Sequence, residues 1–382
     1  MKTQQVRLPF YARLPVLAMG SQRKNTVCFA RGDCALISPV HQDLSCADDF
    51  SNFEKTVGYF FARHPVLVAH DLHPEYTSTK YAISLPPRYS PVAVQHHHAH
   101  IAACMVENGL KNQKVIGVAF DGTGWGSDAT LWGGEFLVCN YARSVRVAHL
   151  RAVPLLGHES ALRQPWKLAG LWLYLAYGDA FLNLGIEFTK KIQRGKWLVL
   201  KQMYLSSPDI VLTSSMGRLF DVLASIVSGR QAASREAELA VALEKMARRN
   251  PQKADAYPFT LRDTPHGLVI DPLPLCRGVT ADVKAGIAAQ HIAWRIHFSV
   301  ARMIRTTCRA VRARHGLKRV VLAGGVFQNR LLLALTLPLL EADGFSVFTH
   351  RELSCNDSSL SLGQAAIASY RGQGQQKATK GG

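Results

Sequence analysis

The sequence has no Cys-x-x-Cys pair. Its eight cysteines, Cys28, Cys34, Cys46, Cys104, Cys139, Cys276, Cys308 and Cys355, are scattered. That spacing excludes a zinc finger and fits a chain kept in a reducing compartment, so a cytoplasmic protein is expected. No apolar run suits a bilayer: the most apolar stretch, LAGLWLYLAYGDAFLNLG (168–185), carries Asp179 and predicts a buried helix or helix pair. The first twenty residues lack an apolar run behind a basic start, so no signal peptide is expected. Acidic residues are few, 27 against 45 Lys and Arg, for a formal charge of +18. Such a balance favours acidic partners, phosphorylated ligands or nucleic acid. The basic residues are dispersed, however, and neither a Lys/Arg-rich run nor an aromatic–basic ladder is present, which disfavours nucleic acid. G-x-x-x-x-G-K-[ST], G-x-G-x-x-G and G-x-S-x-G are all absent, which argues against a P-loop NTPase, a Rossmann dehydrogenase and an elbow-type serine hydrolase.

What is there is a chain of 382 residues, 48% hydrophobic, long enough for two or three domains with a real core. TVCFARGDCALIS (26–38) predicts a hairpin turning at Arg31-Gly32-Asp33. FEKTVGYFFARH (53–64) has helical spacing and PVLVAHD (65–71) reads as a buried strand. Segment 72–93, rich in Pro, Ser and Tyr, is expected to be irregular. A helix follows to about Gly109. KVIGVAFDGTGWG (114–126) predicts a strand entering a glycine turn, with two more strands in 129–155. Residues 158–250 are mostly helical, 255–274 a loop or edge hairpin, and 288–316 a long helix stopped by Gly316. Strand, glycine turn and helix recur over 317–345, then a strand at 346–350 and a closing helix at 360–371. The tail GQGQQKATKGG is expected to be solvated and disordered. The α/β pattern occurs twice, near 26–71 and 114–155, which predicts two similar α/β lobes with a cleft where strand ends meet glycine turns.

Four imidazoles fall within VQHHHAH (94–100). His96 and His100 are four apart and share one helix face, the spacing of metal ligands; His97 and His98 point elsewhere. Two imidazoles alone bind a divalent metal weakly, so carboxylates from other segments are needed. The bland alternative is a helix start whose histidines cap it or face solvent. Asp121-Gly122-Thr123-Gly124-Trp125-Gly126 ends one apolar strand, and Leu322-Ala323-Gly324-Gly325-Val326-Phe327-Gln328-Asn329 ends another. Glycines at such ends let backbone amides approach a phosphate. Asp121 could reach a metal, and Asn329 could hydrogen-bond an adenine or ribose; a plain turn is the alternative. Asp357 could join the metal or cap the last helix. Ser215 and Gly217, in TSSMGRLFD, could lie near a nucleotide, though an N-cap at Ser215 is the simpler expectation.

Taken in order, VQHHHAHIAACMVENG, VAFDGTGWGSDATLWGGEFL, QPWKLAG, TSSMGRLFD and LAGGVFQNRLLL resemble the C-terminal half of the HypF carbamoyltransferase family, as do GSQRKNTVCFARGDCALIS and DLHPEYTSTKYA before them. The likeness spans roughly 15–370. It implies an α/β, two-lobed ASKHA fold (actin-like, Kae1-like) with ribonuclease-H-like lobes and a helical insertion. The lobes would be 1–112, with 360–372 packed on it, and 113–358, containing the insertion 158–250; 373–382 would be the disordered tail. It implies a divalent metal, iron before zinc or magnesium, on His96, His100, Asp121 and Asp357. The nucleotide side, for ATP or carbamoyladenylate/AMP, would be Gly122, Gly124, Ser215, Gly217, Glu236, Gly324, Gly325 and Asn329, with Lys24 near the carbamoyl or phosphate group. The implied activity is carbamoyl transfer from carbamoyladenylate to the C-terminal cysteine thiol of HypE, for the cyanide ligands of nickel–iron hydrogenase.

The sequence departs from the family in places. Acylphosphatase, zinc-finger and YrdC-like segments are not found, so the carbamoyladenylate is expected from a separate YrdC-like domain or a longer HypF. The usual N-D-G-G reads Asn356-Asp357-Ser358-Ser359, G-G-D-x-A reads Gly157-His158-Glu159-Ser160-Ala161, E-G-Q-A-A reads Glu236-Ala237-Glu238-Leu239-Ala240, and R-E-P-W-R reads Arg163-Gln164-Pro165-Trp166-Lys167. Two other functions therefore stay open: a weakened paralogue that docks or regulates, and tRNA threonylcarbamoyl transfer.

Overall fold

The computed structural model describes residues 1–157, 160–206, 210–249 and 255–379. Its first part contains β1 (Gln4–Ala18), β2 (Cys28–Ile37), α1 (Ala47–Phe61), β3 (Leu67–Asp71), α2 (Thr77–Ser84), β4 (Ser90–Val94) and α3 (His96–Glu107). The strands form one sheet in the order β2-β1-β3-β4, with β1 and β2 antiparallel and the other pairs parallel.

A second sheet follows the same plan. After β5 (Val115–Trp125), β6 (Leu131–Cys139) and β7 (Ser144–Leu150) come helices α4 (Trp166–Tyr177), α5 (Met216–Ser228) and α6 (Glu238–Arg248). The chain then adds the hairpin β8 (Thr260–Thr264) and β9 (Gly267–Asp271), the long α7 (Ala289–His315), β10 (Arg319–Ala323), α8 (Arg330–Ala342), β11 (Ser346–Phe348) and the closing α9 (Leu360–Thr379). Its main strand order is β8-β9-β7-β6-β5-β10-β11. Three antiparallel strands, β5 to β7, are extended by the parallel β10 and β11. An antiparallel pair continued by parallel strands thus occurs in both sheets, as the doubled sequence pattern predicts.

Side-chain alternation along the strands separates three cores. On β1, Val16 and Ala18 join a core with α3, α9 and one face of the second sheet, while Leu17, with Met19 just past the strand, turns to α1 and α2. On β5, Val115 and Ala119 face that same central core, and Ile116, Val118 and Phe120 face the helices of the second half. Helix α3 therefore lies between the two sheets. Every residue from His96 to Val106 is buried, as a helix surrounded by protein on all sides requires.

Four expectations need correction. Residues 26–38 are not a hairpin: β2 runs straight through Arg31-Gly32-Asp33, and its antiparallel partner is β1. Gly32 takes a left-handed φ of 64° where it pairs with Ala12 between two register shifts whose extra residues lie on β1, a conformation glycine adopts without breaking β2. Segment 72–93 is not irregular; it holds α2 and most of β4, because the spacing of Ser78, Thr79 and Ala82 buries one helix face. The glycines of Asp121–Gly126 do not make a turn, since β5 continues to Trp125 through a register shift between Phe120 and Gly124. The stretch from 373, expected to be disordered, is helical as far as Thr379; residues 380–382 lie outside the described residues. So do His158 and Glu159 of the Gly157–Ala161 departure, and both borders of the expected insertion.

Candidate metal centre

Helix α3 begins with its own cap. Gln95 Oε1 accepts the backbone N–H of His98 at 2.9 Å, replacing one of the hydrogen bonds a helix start lacks. All four histidines are fully buried, so the solvent-facing alternative is overturned. His97 Nδ1 meets Gln95 Nε2 at 3.1 Å, and His98 Nε2–H donates to the Asn140 carbonyl at 2.6 Å. Burial pushes both imidazoles down, His97 well below its usual value and His98 to about 4. His96 and His100, one turn apart, face the other way together.

Two carboxylates meet them. Asp121 Oδ2 lies 3.0 Å from His100 Nε2 and 3.4 Å from His96 Nε2. Asp357 Oδ1 lies 3.5 Å from His100 Nε2 and 3.7 Å from His96 Nε2. The four ligand atoms all lie within 4.8 Å of one another. Ligands bound at about 2.1 Å to one ion stand about 3.0–3.4 Å apart in octahedral or tetrahedral geometry, so small adjustments would seat a cation. His96 Nε2 is buried with no hydrogen-bond partner. Two imidazole nitrogens and two carboxylate oxygens form a donor set suited to a divalent first-row metal, and the residues fit that group.

Each carboxylate is placed by its backbone. Asp121 sits on β5, where Oδ1 accepts the N–H of Gly122 at 2.7 Å and of Gly325 at 3.3 Å, leaving Oδ2 to the histidines. Asp357 opens a short 3-10 turn, Asp357–Ser359, capped by Asn356, whose Oδ1 accepts the Ser358 N–H at 3.0 Å. Ser358 and Ser359 are accommodated in this turn while Asp357 still reaches the cluster. Burial alone would raise both acids. The neighbouring His100 and His96, by hydrogen bonding and charge, outweigh it, and both carboxyls fall well below the usual range. Burial likewise lowers His96, but the charge of Asp71 and the closeness of the Asp121 and Asp357 carboxylates carry it well above its usual value.

The glycines make room. A Cβ at Gly124 would stand 2.5 Å from His97 Cε1 and 2.7 Å from His96 Cδ2; one at Gly324, where φ is 100°, would stand 2.3 Å from the Phe120 carbonyl oxygen. Gly217 packs on Gly122, where a Cβ would come 3.0 Å from the Gly122 Cα. Ser215 caps α5 through Oγ, which accepts the Arg218 N–H at 3.1 Å and donates to the Gly122 and Asp121 carbonyls, 2.7 and 2.9 Å away. The simple cap is thus present, and it also clamps the Asp121 strand.

Asn329 is committed within the chain: Oδ1 caps α8 by accepting the Leu332 N–H at 2.9 Å, and Nδ2 donates to His297 Nε2 at 2.9 Å. Glu236 lies over Gly122, where a Cβ would come 3.3 Å from Oε1. Its two oxygens face Arg218 at 3.5 Å and Arg23 at 3.7 Å. Lys24 is exposed, with a left-handed φ of 47°. Two residues on, Thr26 Oγ1 donates to the Ser358 carbonyl at 2.9 Å, which ties that segment to the Asp357 turn.

Sequence reasoning passed over Asp71, whose Oδ2 accepts from His96 Nδ1 at 2.7 Å, and Arg218, nearly buried between Asp221 and Glu236. An acid ending the apolar strand PVLVAHD was the signal available for Asp71; nothing in TSSMGRLFD separates Arg218 from a helix-surface arginine.

The family described as "Carbamoyltransferase, Kae1-like Domain, second subdomain" matches residues 117–364, and "HypF Kae1-like domain" matches residues 12–107. Carbamoyltransferase HypF of Synechocystis sp. is 36% identical over 379 residues, covering 94% of this chain and 48% of that relative. Carbamoyltransferase HypF homolog of Cupriavidus necator is 36% identical over 369 residues, covering 93% of this chain and 91% of its own length. Among solved structures, full-length HypF in a phosphate- and nucleotide-bound form superposes with a TM-score of 0.89 at 33% identity, over 96% of this chain and 57% of that one. HypF of T. kodakarensis gives 0.87 at 26% identity, over 97% and 49%. The expected Kae1-like α/β fold is therefore present. The chain spans about half the length of several relatives it matches, such as the 48% of the Synechocystis protein. On matching sequence and fold, this chain belongs to the HypF carbamoyltransferase family, as its Kae1-like portion.

Proposed function

We propose that the chain transfers a carbamoyl group from carbamoyladenylate to the C-terminal cysteine thiol of HypE, a step in assembling the cyanide ligands of nickel–iron hydrogenase. The observation that carries this reading is the convergence of His96, His100, Asp121 and Asp357 on one point. These four would hold the divalent metal, iron before zinc or magnesium. When bound, it supplies Lewis-acid chemistry and charge neutralisation for a phosphate.

The chain's own groups supply the rest. Gly122, Gly124, Gly217, Gly324 and Gly325 keep the strand ends free of side chains, so backbone amides can approach an adenylate. Ser215 fixes the Gly122 carbonyl, and Glu236 and Asn329 stand on the nucleotide side. Lys24, tied through Thr26 to the Asp357 turn, brings positive charge to the oxygen that gains charge as the carbamoyl carbon is attacked. In that step the acceptor sulfur bonds to the carbamoyl carbon, the bond from that carbon to the phosphate oxygen breaks, AMP leaves with the electron pair, and the thiol proton passes to solvent. The nucleophile belongs to the partner, so none is needed here. The carbamoyladenylate would come from a YrdC-like domain or a longer HypF.

In this reading residues 1–112 with 360–372 form one lobe and 113–358 the other, with the ligand between them. The eight free cysteines support a reducing, cytoplasmic setting. No described helix is long and apolar enough to cross a membrane.

The test is to give the purified, metal-loaded chain carbamoyladenylate and a HypE acceptor. The acceptor should gain one carbamoyl group by mass spectrometry, and His96→Ala and Asp357→Ala should abolish the gain. Acceptor binding without transfer would instead identify a docking paralogue.

A further inference from the structure

Asp71 ends β3 completely buried, with 0% exposure. Removing a carboxylate from water is costly unless it is paired and hydrogen-bonded. No lysine or arginine among the described residues pairs with it. Its ion-pair partner is His96, whose Nδ1 lies 2.7 Å from Oδ2. The other oxygen, Oδ1, accepts the backbone N–H of His73 at 2.9 Å. The His73 ring stacks on Tyr76 with centroids 4.2 Å apart and planes 4° apart, and packs on Trp125 of β5 at 5.0 Å. The loop that fixes Asp71 is thereby stacked on itself through Tyr76 and held against β5 of the second sheet through Trp125.

A carboxylate only accepts here, so His96 Nδ1 keeps its proton toward Asp71, and Nε2, which faces Asp121 and Asp357, is the nitrogen that would give up its proton and present its lone pair to a cation. His100 has no such support: its Nδ1 is buried without a hydrogen-bond partner among the described residues. The two imidazoles, equivalent by spacing, are held unequally.

We propose that Asp71 is a positioning residue for the metal: it fixes the tautomer and ring orientation of His96, and its charge strengthens His96 Nε2 as a donor. The inference rests on the metal reading of the four-residue cluster and adds a fifth, non-ligating member. Carboxylates behind a ligating imidazole act this way in other metal sites, and their loss weakens metal affinity by about 10–100-fold.

The experiment is a Co2+ titration of the whole purified chain, followed by visible absorption, for the unaltered protein, Asp71→Ala, Asp71→Asn and His96→Ala. Asp71→Ala should weaken Co2+ binding by about 10–100-fold and shift the absorption bands. Asp71→Asn should fall between, because the amide oxygen accepts the same hydrogen bond without the charge. Where Asp71→Ala does not fold, Asp71→Asn decides. A purely structural Asp71 would lower the melting temperature of the metal-free protein and leave the Co2+ affinity and spectrum of the folded fraction unchanged; that result overturns the inference while the metal site stands. Absence of Co2+ binding by the unaltered chain, or equal binding by His96→Ala, overturns the metal reading and this inference with it.

Discussion

Gly363 and the carbonyl oxygen of Ala99 meet where α9 crosses α3, so closely that a Cβ on Gly363 would stand 1.8 Å from that oxygen. The residue after Ala99 is His100, and α9 begins directly behind the Asp357 turn. One helix crossing therefore helps set the distance between a histidine and an aspartate of the candidate metal centre. Gly363→Ala should force the helices apart and cost about 1–3 kcal/mol, as overpacking does. Denaturant unfolding should show the lower midpoint. Metal binding should weaken as well, because His100 and Asp357 separate.

Gly124 tests the site with less disturbance to the core. A Cβ there presses on the His97 and His96 rings at 2.5 and 2.7 Å. Gly124→Ala should turn His96 away from Asp121 and weaken Co2+ binding by at least about tenfold, the loss a disturbed ligand orientation gives. Unfolding should move by less than in Gly363→Ala. A Co2+ titration beside a melting curve separates the two effects.

These two glycines mark what the sequence made legible. The spacing of His96 and His100, Asp121 at the tip of an apolar strand, and Asp357 in the loop before the last helix were visible because a helix face, a strand end and a helix start are local properties. So was the twofold α/β pattern. The resemblance, rather than spacing, supplied the pairing of those four residues. Less visible were elements fixed by distant partners. β2 runs through Gly32 because β1 pairs along it, and nothing local to 26–38 shows that partner. Helix α2 was hidden by its polar composition, since it buries Ser78 and Thr79 rather than large apolar groups. Asp71 ends an apolar strand in the sequence, but its place behind His96 shows only once β3 and α3 are adjacent.

Asn329 separates structural from ligand roles. Asn329→Asp keeps an oxygen to cap α8 but removes the N–H that His297 Nε2 accepts. Burial holds the pKa of His297 down at about 4, so an unprotonated Nε2 and the new carboxylate would be two acceptors facing each other. The variant should lose about 1–2 kcal/mol, the cost of an unsatisfied buried acceptor, and recover part of it as falling pH protonates His297, whose pKa the facing carboxylate raises. Urea midpoints at several pH values check this. A drop in AMP affinity at fixed fold, measured calorimetrically, would add the nucleotide contact that the resemblance implies.

Glu107 at the end of α3 links that helix to the loop leading to Asp357. One oxygen accepts from His350 Nδ1 at 2.5 Å, and the other accepts the N–H groups of Arg351, Glu352 and Leu353 at 3.0, 2.6 and 2.8 Å. Burial would raise this carboxyl, but these bonds and the His350 charge lower it from 4.5 to about 2. A depressed acid stabilises the fold above its unfolded value, and that contribution disappears as pH falls from 4.5 through about 2. With the side chain only 8% exposed, the contribution is on the order of 2 kcal/mol. Glu107→Gln should be less stable by about that amount near neutral pH, and its stability should vary less with acidification over this window. The two unfolding curves should converge at the acid end; parallel curves would mean that the charge of Glu107 does not stabilise the loop.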